Sequence, residues 1–317
     1  MKDHCDRAPR VSVVIPARNA AATLAQTLAC LHEQDMAEWE AIVVDDGSTD
    51  ATASIAQLHG LHDGRIRCIP GPGRGVSAAR NAGIARCRGA VIAFLDADDL
   101  WLPRKLRSHL QHLERAPWVG VSFDRILFVD PQGHSTGVQS TRHVHGLKPH
   151  DFLYENPACS ASTLVVRREA LVQSGGFDEE MRFAEDLELL VRIRCTTPWG
   201  IEGLDQVLTH YRASPAGASA GFEAMQAGWE FMIDKVRGYA PALVDAHYRA
   251  ARAVHLRYLA RRALRLGLPA RDGLHYFVRA LRSSPLALLR DPRRTFGTLA
   301  GLLAHGVAPG GLLAHRT

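Results

Sequence analysis

The 317-residue chain lacks the features that mark secreted, membrane-spanning and zinc-binding proteins. Its six cysteines are scattered and form no Cys-x-x-Cys pair, which argues against a zinc site and a disulfide framework and fits a reducing cytoplasm. It has no run of about 18 apolar residues, the length that a membrane-spanning helix needs. No apolar stretch precedes Val11, so the N-terminus is unlike a signal peptide. We therefore expect a cytoplasmic protein.

Lysine is absent from residues 246–317, which contain thirteen arginines and only two acids, Asp272 and Asp291. This region carries a net charge of +11, and residues 1–245 carry −6 because the whole chain carries +5. The small residues at 214–221 have the composition of a linker. The sequence therefore predicts two regions, an acidic α/β domain over residues 1–215 and a basic helical extension over residues 216–317.

Strand and helix patterns alternate through residues 11–95. The β-branched runs are typical of buried strands, and segments of helix-forming residues follow them. This order predicts a doubly wound α/β sheet. Further along the chain we expect three more strands, one helix and a polar, His-rich loop at 134–150. The predicted strands are 11–15, 40–44, 65–69, 90–95, 121–129, 162–167 and 199–211, and the predicted helices are 19–31, 51–59, 76–86 and 185–195.

Polar clusters follow three of the predicted strands, at residues 17–19, at Asp45-Asp46 and at Asp96-Ala97-Asp98-Asp99. In an open α/β sheet, ligands bind beyond the carboxyl ends of the strands, so these clusters predict one site at that edge. For Asp45-Asp46, the alternative is a helix cap in a solvated turn.

The cluster Asp96-Ala97-Asp98-Asp99 places three carboxylates directly after a buried strand. Like charges repel one another there, and their desolvation is costly. A divalent cation resolves both problems, and hard oxygen ligands suit Mg²⁺ or Mn²⁺ held by one or two carboxylates and substrate phosphates. The alternative is an acidic turn at the surface.

Four segments, taken in order, resemble the family-2 inverting glycosyltransferases of the GT-A fold, and the similarity covers about residues 1–215. The resemblance implies a GT-A catalytic domain that transfers a hexosyl or N-acetylhexosaminyl group from a nucleotide-sugar to an acceptor hydroxyl. Expected products are cell-surface polysaccharide, lipopolysaccharide or another glycoconjugate, from a saccharide or lipid-linked acceptor. A UDP-sugar is the favoured donor, with dTDP- and GDP-sugars as alternatives. The segments are 11–19 (VSVVIPARN), 43–50 (VVDDGSTD), 75–83 (GVSAARNAG) and 94–99 (FLDADD).

The resemblance also implies roles for individual residues. Asp46 would hydrogen-bond the pyrimidine base, Asp96 would contact the ribose, and Asp98 would ligate the Mn²⁺ or Mg²⁺ that bridges the diphosphate. Such a cation would neutralise charge on the departing nucleoside diphosphate. Asp99 is a weaker candidate for acceptor binding or support. The residues implied in donor binding are Pro16, Ala17, Asn19, Asp46, Arg80, Asp96 and Ala97.

An inverting transfer needs a base that deprotonates the acceptor hydroxyl. The turn 174–178 (SGGFD) followed by Glu185-Asp186 resembles the family segment whose Asp supplies that base. We therefore assign the base to Asp186, with Glu185 as a neighbour that raises its pKa or binds acceptor. The alternative is a pair of acids that complements a helix dipole. Family members often carry Tyr-Arg-x-His, but in this chain Ser214 stands in the place of that His. Either His210 or another group takes the role of the missing His, or metal binding relies on Asp98 and water.

The basic extension interleaves arginines with Leu, Ala, Tyr and Phe, and residues 260–285 resemble a helix-turn-helix pair. One interpretation is an amphipathic surface that lies on anionic lipid, at the inner face of the cell membrane. The other is a helical cap on the catalytic domain with a solvated Arg face. No aromatic-rich motif or zinc pattern accompanies the charge, so nucleic acid is not an expected partner.

Two other functions deserve comparison with sugar transfer. A nucleotidyltransferase of similar fold usually has a Gly-rich loop with Lys or Arg after its first strand, and residues 17–22 (ARNAAA) are not such a loop. A non-catalytic nucleotide-sugar-binding module would not need Asp98 or Asp186. Both acids are present, which favours the enzyme.

Overall fold

A computed structural model of the protein describes residues 8–212 and 221–307. In these ranges the strands are β1 Val11–Ala17, β2 Trp39–Asp45, β3 Ile66–Pro70, β4 Val91–Phe94, β5 Leu100–Trp101, β6 Val119–Val129, β7 Ser135–Gln139, β8 Val165–Arg167 and β9 Gly200–Arg212. The helices are α1 Leu24–His32, α2 Thr52–His62, α3 Val76–Ile84, α4 Lys105–Arg115, α5 Asp151–Tyr154, α6 Arg168–Ser174, α7 Glu185–Thr196, α8 Phe222–Tyr239, α9 Pro241–Arg265, α10 Ala270–Ser283, α11 Pro285–Leu289 and α12 Pro292–Val307.

The described residues fall into two units. The first unit draws on Met1–Leu147 and Pro157–Ala220, and the second draws on Lys148–Asn156 and Gly221–Thr317. Helix α5 therefore belongs to the second unit, although the chain on both sides of it belongs to the first. The predicted boundary at residue 215 and all but the last residue of the predicted linker at 214–221 lie outside the described residues, so the limits 1–215 and 216–317 stay a prediction.

One half of the sheet in the first unit is parallel, in the order β3-β2-β1-β4. Strands β1 and β2 are buried almost throughout, as strands covered on both faces must be. The register pairs Ala17 with Asp45 and Val14 with Phe94, so β1, β2 and β4 end at the same edge. The predicted alternation of strands and helices through residue 95 is confirmed.

The other half of the sheet is mixed. Strand β8 runs antiparallel to β4 and β6, β9 runs parallel to β6, and β5 pairs antiparallel with β9. The predicted loop at 134–150 was wrong in part, because β7 pairs with β6 as an antiparallel neighbour. Three of the five β7 residues are Ser135, Thr136 and Gly137, and the strand is largely exposed. It therefore has no apolar alternation that would have revealed it.

Helix α3 packs closely against the parallel strands through a glycine. A Cβ atom placed on Gly83 would lie 2.5 Å from Cγ1 of Val14 and 3.2 Å from Cγ2 of Val44. Both neighbours are fully buried β-branched side chains with little rotamer freedom. Gly83 thus sets the distance of α3 from β1 and β2, and α3 carries Arg80 and Asn81.

In the second unit, α9 packs against α5, α8, α10, α11 and α12. The core is an apolar cluster that includes Leu256, Leu259, Phe277 and Leu302. The predicted helix-turn-helix is confirmed, since α9 ends at Arg265 and α10 begins at Ala270. Every helix in the described ranges is too short or too polar to cross a lipid bilayer.

We expect Gly83→Ala to lower the free energy of unfolding by about 1–3 kcal/mol, the usual cost of overpacking a filled core. The added methyl group would overlap Val14, which cannot move away within the sheet. Urea unfolding followed by circular dichroism measures the change. Gly238→Ala is the matched control, because that helical glycine has open space around it. Equal stability of the two variants would contradict the close approach.

Candidate active site

The loops after β1 and β2 are joined by Asn19. Its backbone is left-handed, with φ of 52°, and its Oδ1 accepts a hydrogen bond from Thr49 N at 2.8 Å. The backbone amide of Asn19 donates a hydrogen bond to Ser48 Oγ at 3.0 Å. The amide of Asp46 also donates to Ala17 O at 2.8 Å. The two polar clusters predicted from the sequence therefore form one surface.

The carboxylate of Asp46 organises the glycine-rich loop at 71–75. Its Oδ1 accepts from Gly73 N at 2.7 Å, and its Oδ2 accepts from Gly75 N at 2.8 Å. Both glycines have positive φ, 69° and 102°, which lets their amides point at one carboxylate. Asp46 is only 4% exposed. Its predicted contact with a pyrimidine base stays a prediction, while its contact with this loop is part of the fold.

The cluster after β4 contains three carboxylates in different surroundings. Asp96 is partly exposed and accepts from Arg80. Burial and the charge of Asp96 raise the pKa of Asp98 to about 6. Burial, together with the charges of Asp96 and Asp98, raises the pKa of Asp99 well above its ordinary value. Two of the three acids thus resist ionisation where they stand.

Asp99 is a buried link between this cluster and the end of β9. Its Oδ2 accepts from Ser162 Oγ at 2.5 Å, and its Oδ1 accepts from Arg212 N at 2.9 Å. The Arg212 guanidinium donates in turn to Asp98 O at 2.8 Å and to Gln26 Oε1 at 2.9 Å. Asp99 and Arg212 therefore fix the backbone of the loop that carries Asp98.

Arg80 connects the Asp96–Asp99 loop to α7. Its Nη2 donates to Asp96 Oδ1 at 2.7 Å, and its Nη1 donates to Glu185 Oε1 at 2.7 Å. The side chain is 3% exposed, and its guanidinium lies 5.2 Å from the ring centre of Phe177. Burial alone would lower the pKa of Arg80, but the two carboxylates raise it above its ordinary value. We call this pair of contacts the Arg80 bridge.

The next residue along α3, Asn81, holds the turn that precedes α7. Its Nδ2 donates to Phe177 O at 2.8 Å, and its Oδ1 accepts from Phe177 N at 2.9 Å. A Cβ on Gly176 would lie 2.8 Å from Asn81 Oδ1, so the turn needs glycine there. Arg192 of α7 reaches the same turn, with Nη2 donating to Gly176 O at 2.7 Å. The turn and the start of α7 are thereby fixed on α3.

Asp186 lies in the first turn of α7, one residue after the Glu185 of the Arg80 bridge. Its Oδ1 accepts from Leu187 N at 2.8 Å, and the side chain is half-buried. Ala184, before the helix, has a left-handed backbone with φ of 57°. The position agrees with both sequence interpretations, a base and an acid at a helix N-terminus.

Sequence patterns did not indicate Cys159, which lies near Asp186, or Arg142, which contacts Cys159. Burial and the Asp186 carboxylate raise the pKa of the Cys159 thiol, and the Arg142 guanidinium hydrogen-bonded to it lowers that pKa. Arg142 lies in the segment predicted as loop, and Cys159 is an isolated cysteine. Sequence pattern could not have placed either residue at the site, because both arrive there through the tertiary fold.

The other predicted residues have these positions. Pro16 and Ala17 end β1, and Ala97 O accepts from Thr23 Oγ1 at 2.8 Å and from Thr27 Oγ1 at 3.0 Å. His210 lies on β9 opposite Leu100, and burial lowers its pKa. Position 214, where the family His would stand, lies outside the described residues.

In the described ranges, no group of three or more His, Cys, Asp or Glu side chains is arranged to hold a metal ion by itself. The donor set nevertheless fits a hard divalent cation shared with a ligand. Such cations are commonly held by one or two carboxylates plus substrate phosphates. Asp98 is half-buried beside Asp96 and has a raised pKa, so a cation bound to its carboxylate would stabilise the ionised form.

Comparison with known proteins identifies a family. The sequence model of the protein family described as "Glycosyl transferase family 2" matches residues 12–175 of this chain. The chain is 30% identical over 193 residues to EpsJ, an uncharacterized glycosyltransferase of Bacillus subtilis, covering 56% of this chain and 54% of that protein. It is 32% identical over 204 residues to the succinoglycan biosynthesis protein ExoO of Rhizobium meliloti, covering 58% and 56%. The chain thus spans about half the length of these two relatives.

Solved structures show the same fold. TarS residues 1–349 from S. aureus, in complex with UDP-GlcNAc, superpose with a TM-score of 0.60 at 18% identity, covering 94% of this chain and 88% of that one. The mannosyltransferase PcManGT from Pyrobaculum calidifontis, in complex with GDP-Man and Mn²⁺, gives 0.57 at 20% identity, covering 96% and 89%. The predicted fold class, a GT-A mixed sheet with a helical C-terminal region, is confirmed.

We expect Arg80→Gln to lower the free energy of unfolding by about 3–5 kcal/mol, because it leaves Asp96 and Glu185 without their shared cation in a largely buried site. Arg80→Lys should fall between this variant and the natural protein, since an ammonium lacks the fork that reaches both carboxylates. Urea unfolding measures both changes.

Arg74→Gln provides the control for Arg80. Arg74 lies in the same segment and also pairs with a carboxylate, Glu179 at 2.8 Å, but its side chain is 67% exposed. A surface pair of this kind contributes about 0–1 kcal/mol. A loss in Arg80→Gln no larger than that in Arg74→Gln would show that the Arg80 bridge does not hold the site together.

Proposed function

The chain belongs to glycosyl transferase family 2, and on that premise we propose that it is an inverting transferase that moves a sugar from a nucleotide-diphosphate-sugar to an acceptor hydroxyl. The observation that carries the proposal is the Arg80 bridge. It joins the loop of Asp96 and Asp98 to the helix of Asp186, so the residues proposed for donor and acceptor chemistry belong to one site.

The donor would lie along the carboxyl edge of β1, β2 and β4. In this proposal Pro16, Ala17 and Asn19 line the nucleotide pocket, and Asp46 holds the glycine-rich loop while it contacts the base. The partly exposed Asp96 contacts the ribose, with Ala97 beside it. Arg80 acts on the donor through Asp96, because its own side chain is buried. A UDP-sugar is the favoured donor, with dTDP- and GDP-sugars as alternatives.

Asp98 would hold Mn²⁺ or Mg²⁺ together with the diphosphate of the donor. The cation, when bound, stabilises negative charge on the leaving nucleoside diphosphate. Asp99 and Arg212 keep Asp98 in place by fixing the loop backbone. PcManGT, which shares the fold, was solved with GDP-Man and Mn²⁺, which supports a divalent ion in a site of this kind.

Asp186 would accept the proton of the acceptor hydroxyl. As that proton moves to Asp186, the hydroxyl oxygen bonds to the anomeric carbon, and the bond from that carbon to the diphosphate oxygen breaks with its electron pair leaving on the nucleoside diphosphate. Attack from the face opposite the leaving group inverts the anomeric centre. The Arg80 bridge to Glu185 fixes the backbone next to Asp186, so the base is positioned before substrates arrive.

The acceptor is proposed to be a saccharide or a lipid-linked saccharide in glycoconjugate synthesis. The relatives ExoO and the amylovoran biosynthesis glycosyltransferase AmsB of Erwinia amylovora are named for polysaccharide synthesis, which supports this class. The transferred group would be hexosyl or N-acetylhexosaminyl. A place at the inner face of the cell membrane, in contact with anionic lipid through the arginine-rich extension, belongs to the same proposal.

We expect Asp186→Asn to reduce sugar transfer by about 10²–10⁴-fold, because the amide cannot accept the hydroxyl proton. Binding of UDP with Mn²⁺, measured by calorimetry, should stay near that of the natural protein. Asp98→Asn should lose both transfer and the metal-dependent part of binding. Radiolabelled transfer from a panel of nucleotide-sugars is the activity measurement.

Glu169→Gln is the matched control for Asp186→Asn. Glu169 is an exposed acid in the first turn of α6, as Asp186 is an acid in the first turn of α7. Its loss should leave transfer unchanged. Sugar transfer that survives in both Asp98→Asn and Asp186→Asn would contradict the proposed mechanism.

We expect UDP with Mn²⁺ to raise the melting temperature and EDTA to abolish that rise. The rise should shrink as pH falls through about 6, because Asp98, whose pKa is about 6 without metal, is then protonated and cannot ligate the cation. The direction of this pH dependence follows from the raised pKa of Asp98, since the ionised carboxylate that ligates the cation predominates only above that pKa. Thermal shift assays between pH 5 and pH 8 test this, and indifference to every nucleoside diphosphate would contradict the donor pocket.

A further inference from the structure

Exposed apolar side chains are concentrated in the second unit. Of thirteen large apolar side chains that are exposed in the described ranges, eight belong to α8–α12 and the turn between α9 and α10, although that unit is the smaller one. Four of them lie on α11 and α12, at Leu286, Leu289, Phe296 and Leu303, with exposures of 75%, 55%, 58% and 53%. Isolated exposed apolar residues are ordinary, but four on two short consecutive helices are a candidate contact surface.

On each of these two helices the exposed apolar side chains share one face. Within α12, Arg293, Phe296 and Leu303 are spaced by three and seven residues, which places them on one face of the helix. Leu286 and Leu289 are three residues apart and share one face of α11, which ends shortly before α12 begins at Pro292. The opposite side of each helix is buried, at Leu288 in α11 and Leu302 in α12. We call Leu286, Leu289, Arg293, Phe296 and Leu303 the outer face.

Positive charge accompanies the outer face without matching acids. Residues 270–307 contain six arginines and two acids, Asp272 and Asp291. Asp291 already pairs with Arg257 and Arg294, and Asp272 pairs with Arg271. In the described part of the chain, no carboxylate lies within salt-bridge distance of Arg282, at the end of α10, or of Arg293. The leucines and phenylalanine of the outer face are therefore accompanied by Arg293 on the face itself, and Arg282 at the end of α10 adds positive charge to the same unit.

We propose that the outer face binds the surface of an anionic lipid bilayer, with its leucines and Phe296 in the acyl boundary and Arg293 among the headgroups, while Arg282 of α10 adds to the attraction. A bilayer supplies an apolar layer and negative charge side by side, which is the chemistry that this face presents. A second copy of the chain fits less well, because pairing two such faces would bring like charges together. The inference rests on the membrane contact proposed above, which it assigns to one face of two helices, and it does not depend on the chemistry proposed for Asp98 and Asp186.

Flotation of the full chain with vesicles tests the proposal. The protein should float with an equimolar mixture of phosphatidylcholine and phosphatidylglycerol and should stay in solution with phosphatidylcholine alone. The double variant Leu289→Ser with Phe296→Ser should bind the mixed vesicles at least about tenfold more weakly, because the apolar contact is lost. Arg282→Gln with Arg293→Gln should also weaken binding at least about tenfold, since two cationic groups are then lost from the anionic surface.

Two controls are matched to these variants. Leu61→Ser removes a leucine that is 84% exposed in the first unit, and Arg115→Gln removes an exposed arginine at the end of α4. Both should bind as the natural protein does. Equal binding by all the variants, or no binding by the natural protein, would overturn the proposal.

Sedimentation without lipid separates the alternative occupants. We expect a monomer, and a dimer that the Leu289→Ser and Phe296→Ser double variant dissociates would assign the face to self-association and overturn the proposal. Hydrolysis of a soluble UDP-sugar should be the same in the natural protein and in the face variants. If the proposed enzymatic function is wrong, that hydrolysis is absent throughout, whereas the vesicle result stands unchanged.

Discussion

The candidate site depends on one buried cation, the guanidinium of Arg80. It contacts Asp96 after β4 and Glu185 at the start of α7, two carboxylates that the chain separates by 89 residues. Without it, the edge of the sheet would hold five acids within the segments 96–99 and 185–186, with repulsion and desolvation both opposing their approach. Asn81, beside Arg80, fixes the turn before α7 through two hydrogen bonds. Helix α3 is thus the part of the fold that connects the Asp96–Asp99 loop, proposed for the donor, to the start of α7, proposed for the acceptor.

The acids at this edge are not equivalent, because each has a different partner. Asp96 has a cation and Asp99 has a hydroxyl and a backbone amide, whereas for Asp98 the hydrogen bond from its own backbone amide and the charge of Arg212 are outweighed by burial and the charge of Asp96. The pKa of Asp98 is raised accordingly, to about 6. The fold therefore leaves one carboxylate in need of positive charge, at the place where the proposed reaction needs a cation.

Local sequence was enough to predict the parallel half of the sheet, because β-branched runs such as 11–15 and 40–44 are buried on both faces and alternate with helical segments. It was not enough for β7, whose Ser, Thr and Gly residues carry no apolar period. Resemblance to a family led to Arg80, Asp96, Asp98 and Asp186, but it assigned Arg80 to the nucleotide. The contact of Arg80 with Glu185 spans 105 residues, and no pattern of spacing in one sequence reveals a pair at that distance.

The interrupted course of the chain through the second unit has a consequence for synthesis on the ribosome. Residues 148–156 enter that unit long before the rest of it exists, and their Phe152 and Leu153 are fully buried. The partners of α5 come from much later in the chain, since α5 packs on α9 and Leu153 O accepts from Trp229 Nε1 at 3.3 Å. A nascent chain that has completed the sheet therefore still contains an apolar segment whose packing partners, the later helices, have not been synthesised. In a chain shortened after β9, those partners would never be present.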